Sequence, residues 1–175
     1  TAKTVFASII SRYQDPDGDL GISDEGWEIA AKFLGNAHNI ADGEDAVGSV
    51  INGTYPMDEH WASGVLTEQK DRDYKFQIMT PDIGEPYVVE SLAISAGTKK
   101  YDTCVAFLNW LGSSDVQLDW SNNYGTIPCQ KEALTQVSDD IKELMETLKP
   151  QDLDWSFIAE NVDAWVEKAE LEYVQ

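Results

Sequence analysis

Several side chains with binding chemistry stand together at residues 58–61, which run Asp-Glu-His-Trp. His60 beside two acids is a candidate metal ligand, although a single histidine is also typical of an exposed or hydrogen-bonded side chain. Trp61 offers an indole face that can stack on an organic solute, and the alternative is a half-buried tryptophan at the end of an element. The sequence contains no nucleophile elbow, phosphate-binding loop or HExxH motif, so this pattern favours binding over catalysis.

A single carboxylate interrupts an otherwise apolar stretch. Residues 87–95 are rich in β-formers and predict a strand that is buried on both faces, with Glu90 in its middle. A buried carboxylate needs a partner because its desolvation is costly. That partner is either a cationic group or a set of hydrogen bonds within the protein. A half-buried strand is also predicted at residues 74–78, where Tyr74, Phe76 and Ile78 alternate with polar residues.

Acidic residues at alternate positions between two predicted helices give a third binding pattern. Residues 15–25 resemble an EF-hand calcium loop, in which such carboxylates place hard oxygen ligands around one ion. The loop's turn glycine and closing glutamate are replaced, by Leu20 and Gly26 respectively. A calcium loop and an acidic helix connector therefore both stay open. The candidate Ca²⁺ ligands are Asp15, Asp17 and Asp19.

Composition narrows the class of protein. The 175 residues are 42% hydrophobic, which suffices for a sizeable core, and the formal net charge is -20. This charge argues against nucleic-acid binding, since phosphate attraction requires clustered lysine and arginine. Cys104 and Cys129 are too few for a disulfide scaffold. They either form one bond in an oxidising compartment or remain thiols, and Cys104 then lies in a helix core.

Helices are predicted over most of the chain from apolar residues at three- and four-residue spacing. The predicted spans are 1–13, 24–35, 42–51, 101–111, 114–122, a helix capped by Ser138 and closed by Pro150, and a last helix from about Trp155. No stretch approaches the roughly 20 apolar residues of a transmembrane helix. The absence of a signal peptide is interpreted as a sign of a processed chain or a piece of a larger protein.

The order of several short motifs resembles the extracellular solute-binding proteins of ABC transporters, in the subgroup that serves iron, polyamines, thiamine and aminoethylphosphonate. The helix 106–111 is followed by Ser-Ser-Asp-Val-Gln at 113–117, similar to the family's S-x-E-x-Q. Gly-Thr-Ile-Pro at 125–128 resembles its G-x-x-P return. Residues 50–56 and 80–84 are similar to its V-x-N-G-E-x-P and P-x-E-G segments.

The resemblance implies an α/β fold of the periplasmic-binding-protein-like type II, of which this chain is the helix-rich C-terminal part. Residues 1–90 are then the main part of lobe 2, residues 91–127 return to lobe 1 through the hinge, and residues 128–175 are the C-terminal helices of lobe 2. The N-terminal lobe of the same protein is missing from the sequence. Without it, the helix 101–111 is expected to expose an apolar face, which ordinarily marks a partner surface.

The resemblance also implies where a solute binds. The family places the start of the first helix in the cleft, where free backbone N–H groups can hold an anionic group. The loop after residue 58 lines the same cleft, and in polyamine-binding relatives an acidic residue near position 90 holds an amine. The expected ligand-binding residues are Thr1, Thr4, Trp61, Ser63, Glu85, Tyr87 and Glu90. Adjacent tyrosines, which hold ferric iron in some relatives, are absent because Tyr55 stands alone before Pro56.

The implied function is that of the extracytoplasmic substrate-binding component of an ABC importer. It captures a small-molecule or metal solute between two lobes and delivers it to a membrane permease, without catalysis and without a certain cofactor. The implied location is extracellular or periplasmic, with a lipoprotein tether upstream. Two alternatives remain open: a calcium-stabilised interaction module that uses residues 15–25, and a carboxylate-based hydrolase.

Overall fold

The computed structural model describes residues 2–174, and α-helices account for most of its regular structure. Within this part of the chain lie α1 (Ala2–Ile10), a 3₁₀ turn (Ser11–Tyr13), β1 (Gln14–Asp19), α2 (Asp24–Gly35), α3 (Ala46–Ile51), α4 (Ala62–Arg72), α5 (Tyr101–Leu111), α6 (Ser114–Tyr124), α7 (Lys131–Leu134), α8 (Asp139–Thr147) and α9 (Trp155–Glu172). They fall into two compact units. Unit 1 comprises Thr1–Glu59, Ile83–Pro86 and Pro150–Gln175, and unit 2 comprises His60–Asp82 and Tyr87–Lys149.

Unit 1 is organised around one buried indole. Trp165 of α9 is 0% exposed, and its ring packs against Phe157 with centroids 5.3 Å apart. The inward faces of α1, α2 and α9 surround it, because each helix places an apolar residue inward every three or four positions. The buried apolar side chains of this core are Phe6, Ala7, Ile10, Ile22, Trp27, Ala30, Ile158, Trp165 and Ala169.

Two indole N–H groups fix the segment between α1 and α2. Trp165 Nε1 donates to the Leu20 carbonyl oxygen at 2.9 Å, and Trp27 Nε1 donates to the Asp19 carbonyl oxygen at 3.0 Å. Gly26 lets the segment approach α2, since a Cβ there would lie 2.6 Å from the Cβ of Tyr13. The acidic segment between α1 and α2 is therefore held at the edge of the core of unit 1 by hydrogen bonds from two buried tryptophans.

Unit 2 contains a small helical core and a side chain that joins three segments. Ile141 and Leu144 of α8 are buried, and so is Ala133 of α7. Gln117 of α6 donates from Nε2 to the Leu111 carbonyl oxygen at 2.9 Å. Its Oε1 accepts from the backbone N–H of Cys129 at 3.2 Å. The glutamine that resembles the family motif thus ties the end of α5 to the chain that follows the Gly-Thr-Ile-Pro segment.

The helix predictions are largely confirmed and the two strand predictions are wrong for this structure. The spans 24–35 and 101–111 coincide with α2 and α5, whereas α4 and α7 were not predicted. Residues 74–78 and 87–95 form no strand within the described part of the chain. A strand needs a neighbouring strand to take its backbone hydrogen bonds, and sequence periodicity specifies only the faces. Alternating burial survives at Phe76 and Ile78, which are less exposed than their neighbours.

Candidate functional site

The expected ligand-binding residues are divided between the two units. Thr4 is half-buried on α1 and Glu85 lies in the short segment Ile83–Pro86, both in unit 1. Thr1 lies outside the described residues. The remaining four belong to unit 2: Trp61, Ser63, Tyr87 and Glu90. Each unit therefore carries part of the predicted binding set, and their roles stay predictions.

Glu85 lies in a short segment that is joined by hydrogen bonds to a distant part of unit 1. Its backbone carbonyl accepts a hydrogen bond from the N–H of Gln151 at 2.8 Å, in a parallel bridge with Pro150. Gln151 Nε2 in turn donates to the carbonyl of Ser8 on α1 at 3.0 Å. Glu85 Oε1 is buried and has no hydrogen-bond partner within the described residues. Burial raises the pKa of Glu85 above its ordinary value, because desolvation disfavours the charged form.

An unpartnered buried carboxyl oxygen is a strong acceptor without a donor. In the folded protein its desolvation cost is not offset by a hydrogen bond, which is uncommon for buried polar atoms. A solute ammonium group at Oε1 would supply the missing donor and lower the pKa of Glu85 again.

Trp61 and Ser63 stand at the beginning of α4. Trp61 occupies the N-cap position without a side-chain capping bond, and its side chain is 47% exposed. Ser63 lies in the first turn, and its carbonyl oxygen would be 2.7 Å from a Cβ placed on Gly125. Gly125, whose φ is +67°, thus allows the end of α6 to pack on the start of α4. This packing supports the beginning of α4, where the accessible Trp61 is the N-cap residue.

The expectation that Glu90 is a buried carboxylate is wrong for this structure. Glu90 is exposed, and its neighbours Val89 and Leu92 are 68% and 57% exposed. The physical reason is the missing strand pairing, because apolar side chains of a central strand become buried only between flanking layers. Tyr87 is exposed at the beginning of the same segment.

A second group of exposed apolar side chains lies on α5. Phe107 and Trp110 are exposed and their rings pack with centroids 5.6 Å apart, and Tyr101 is exposed at the first residue of the helix. The apolar residues at three- and four-residue spacing on this helix, Cys104, Val105, Leu108 and Leu111, are half-buried, and only Tyr101 at the beginning of that row is exposed. The helix does expose apolar side chains, as expected, but Phe107 and Trp110 lie outside that row. Cys104 and Cys129 are free thiols in this structure.

The three acids of the calcium-like segment do not converge. Asp19 pairs with Lys168 at 3.1 Å, and Asp15 accepts a hydrogen bond from the backbone N–H of Asp17. Among residues 2–174, no group of three or more His, Cys, Asp and Glu side chains is arranged to hold a metal ion. The structure thus gives the calcium hypothesis no support, and calcium binding stays untested.

A hydrogen-bonded trio that the sequence did not reveal follows α2. His38 Nε2 lies 3.0 and 3.1 Å from the two carboxylate oxygens of Glu44, and Tyr55 Oη donates to Glu44 Oε1 at 2.8 Å. The centroids of the His38 imidazole ring and the Tyr55 phenol ring are 5.1 Å apart. Hydrogen bonds from the backbone N–H of Ala41, from the Tyr55 phenol and from the His38 imidazole together lower the pKa of Glu44 to about 2. No short-range spacing signals such a cluster, because its members lie in one long loop and after α3.

Two cavities of unit 1 lie away from the predicted ligand residues. One, of about 330 Å³, is lined by Ser11, Arg12, Gln14, Asp152, Leu153 and Asp154. Another, of about 450 Å³, is lined by Leu34, Gly35, Ala37, His38, Asn39, Tyr173 and Val174. Neither of these two cavities is lined by Thr4 or Glu85.

Comparison with known proteins decides the family. The profile described as "Bacterial extracellular solute-binding protein" matches residues 4–150. The chain belongs to this family of solute-binding proteins. A curated relative, the probable ABC transporter periplasmic-binding protein y4fP of Sinorhizobium fredii (strain NBRC 101917 / NGR234), is 33% identical over all 175 residues. The chain spans about half the length of this relative, 48% of it. No solved structure matches significantly.

Family membership confirms the resemblance drawn from the motif order, and it fits a periplasmic-binding-protein-like fold. The matched region runs through α1 to α8 and ends at Pro150, where the bridge to Glu85 lies. Within residues 2–174, no helix has both the length and the apolar character needed to cross a membrane. The predicted ligand residues are therefore those of a chain from a solute-binding family.

Proposed function

We propose that the chain is the C-terminal part of the substrate-binding component of an ABC importer. In this proposal two lobes close on a small solute outside the cytoplasm, and a membrane permease accepts it from the closed form. Family membership and the relative's printed name support the proposal. Binding shifts the open–closed equilibrium only through contacts that the closed form alone makes, so the binding residues must come from both lobes.

The observation that carries this proposal is the exposed apolar segment after Tyr87. Val88, Val89 and Leu92 face solvent, although the family match continues through them. In the proposed architecture residues 91–127 enter lobe 1 through the hinge, so segment 87–95 is the crossing strand and its part after residue 90 pairs with strands of lobe 1. The exposed face of α5 at Phe107 and Trp110 is covered by the same lobe. Covering these side chains removes an apolar patch of a kind that seldom stays open to water.

The predicted ligand residues supply three kinds of contact. Glu85 and Glu90 offer carboxylates for an amine, Trp61 offers an indole face for stacking, and the start of α1 near Thr4 offers backbone N–H groups for an anion. Tyr87 and Ser63 add hydroxyl groups. Within unit 2, Trp61 and Glu90 offer an indole face and a carboxylate, both of which suit a solute that carries an ammonium group. We therefore propose an amine-bearing small solute within the iron, polyamine, thiamine and aminoethylphosphonate subgroup, in an extracytoplasmic protein held by a lipid anchor.

A thermal-shift screen of the protein in its full encoded length tests this function. The panel contains putrescine, spermidine, thiamine, aminoethylphosphonate and ferric citrate. One amine is expected to raise the melting temperature, as any ligand that binds only the folded state does. Trp61→Ala and Glu90→Ala are expected to weaken its binding by about tenfold or more each, and Trp155→Ala, an exposed tryptophan outside the predicted set, serves as the matched control. No shift from any compound would overturn the proposed solute class.

A further inference from the structure

We propose that the cavity at the end of α1 is a second binding site, which takes a small zwitterion of the α-amino acid class. The cavity measures about 330 Å³, at the lower end of the range for small-molecule sites, and all of its lining residues belong to unit 1. One wall follows α1 at residues 11, 12 and 14, and the other precedes α9 at residues 152–154. Thr4 and Ser11 are seven positions apart, roughly 10 Å along a helix, so this site is separate from the predicted ligand residue of α1.

The cavity carries one unpaired charge of each sign. Arg12 forms no ion pair within residues 2–174, although the sequence has 32 acids to choose from, and its Cζ lies 5.8 Å from the centroid of the Tyr13 ring. The side chain of Asp152 also has no ion pair or hydrogen bond in that part of the chain. Opposite charges that share a cavity without pairing are both left for a ligand. A carboxylate can bind Arg12 while an ammonium group binds Asp152.

A buried hydroxyl of the same cavity lacks a partner. Ser11 is 6% exposed, and its Oγ has no hydrogen-bond partner among the described residues. Unpaired buried hydroxyl groups are uncommon, because they lose their bonds to water and gain none in return. Rotation about χ1 moves the hydroxyl between three staggered positions, so a ligand oxygen in the cavity that Ser11 lines can become its partner. The ligand carboxylate at Arg12 is the nearest chemical match, since it accepts from both groups.

The second acid of the cavity is already engaged. Asp154 is the N-cap of α9, and its Oδ1 accepts a hydrogen bond from the N–H of Phe157 at 3.0 Å. The positive end of the helix offsets the charge of this carboxylate. Arg12 and Asp152 then leave the cavity close to neutral, which favours a ligand with one charge of each sign over a simple anion or cation.

Both walls of the cavity are held in place before a ligand binds. On one side the carbonyl of Tyr13 accepts from the N–H of Ser23 at 2.9 Å. On the other side Leu153 packs against the core of unit 1. Gln151 joins the two sides, because its Nε2 donates to the carbonyl of Ser8 at 3.0 Å. A cavity with fixed walls reduces the ordering cost of binding.

Titration of the protein in its full encoded length with L-serine, followed by amide NMR, tests the site. The signals of residues 11–14 and 152–154 are expected to shift. Acetate and ethylammonium, which each carry one of the two charges, are expected to bind at least about tenfold more weakly. Arg12→Gln and Asp152→Asn should each weaken L-serine binding by about tenfold or more, because each removes a charge-assisted hydrogen bond. Arg72→Gln is the matched control, since the other arginine pairs with Glu68 on α4 and should not affect L-serine binding.

Ser11→Ala separates a ligand-binding role from a structural one. Without ligand its melting temperature should be equal to or higher than that of the unchanged protein, because the hydroxyl has no partner to lose, whereas its affinity for L-serine should fall. A lower melting temperature without ligand would show that Oγ already has a partner, and it would overturn the proposal. Three other results would do the same: no binding of L-serine, unchanged affinity in a folded Arg12→Gln variant, and signal shifts confined to residues 60–90.

Discussion

Replacing Trp165 with alanine is expected to lower the free energy of unfolding by about 3–5 kcal/mol, as for other fully buried tryptophans. The substitution removes the largest fully buried side chain and its contact with Phe157. It also leaves the Leu20 carbonyl without its indole donor. The connector between α1 and α2 should therefore loosen along with the core. Urea denaturation followed by circular dichroism measures the change.

Two further variants separate packing from hydrogen bonding. Trp165→Phe keeps most of the apolar volume but loses the donor to Leu20, so it should cost about 1–3 kcal/mol. Trp155→Ala removes an exposed tryptophan from the same helix and should cost less than about 1 kcal/mol. A loss for Trp155→Ala equal to that for Trp165→Ala would contradict the described core of unit 1.

Replacing Glu85 with glutamine is expected to stabilise the protein and to weaken solute binding. Burial raises the pKa of Glu85 in the folded state, so the folded state holds this proton more tightly than the unfolded chain does. The contribution of Glu85 to the free energy of unfolding is therefore fully present below the pKa that this carboxyl has in the unfolded chain. It is lost as the pH rises through the higher pKa that the carboxyl has in the folded protein. At neutral pH the neutral glutamine avoids that loss, which is worth on the order of 1 kcal/mol.

The pH dependence makes this prediction specific. Thermal unfolding midpoints of the glutamine variant and of the unchanged protein should differ at about pH 7.5 and converge at about pH 4, where an ordinary glutamate is half protonated. Glu90→Gln is the matched control, since Glu90 is exposed and its substitution should leave the midpoint unchanged. A lower midpoint for Glu85→Gln at neutral pH would show that Oε1 has a stabilising partner.

The effect of the same substitution on binding should have the opposite sign. If Glu85 holds the ammonium group of the solute, glutamine removes a charge-assisted hydrogen bond, and affinity should fall by about tenfold or more. A purely structural role predicts a change in stability alone. Titration calorimetry with the amine that gives the largest thermal shift measures the difference, and unchanged affinity would remove Glu85 from the proposed site.

Local signals explain why the helices were predictable. Ser23 accepts a hydrogen bond from Gly26 N–H, and Asp24 with Glu25 supplies the acidic first turn, so the beginning of α2 is encoded within four residues. The end of α3 at Asn52 is encoded similarly by Gly53, whose φ is +80°. The missed helix α4 lacks such signals, because Trp61 is a poor cap. The helix α5, whose N-cap Lys100 makes no side-chain capping bond, was predicted from the spacing of its apolar residues instead.

Long-range contacts explain what the sequence left unpredicted. The burial of Glu85 depends on Pro150 and Gln151, which are far away along the chain. The trio of His38, Glu44 and Tyr55 depends on how a loop without periodicity folds back onto α3. The side chains at 74–78 and 87–95 follow the pattern that is typical of strands. A strand forms, however, only where a neighbouring strand takes its backbone hydrogen bonds, and the pattern does not specify that neighbour. The family, in contrast, followed from the order of weak motifs, and the profile match confirms it.

Amide hydrogen exchange of residues 88–94, compared between the protein in its full encoded length and the 175-residue chain, tests most directly whether this chain is one part of a two-lobed binding protein. In the chain alone these residues form no strand and Val89 is 68% exposed, so their amides should exchange rapidly. In the full-length protein we expect strand pairing with the other lobe and slow exchange that reports global unfolding. Equally rapid exchange in both proteins would contradict it.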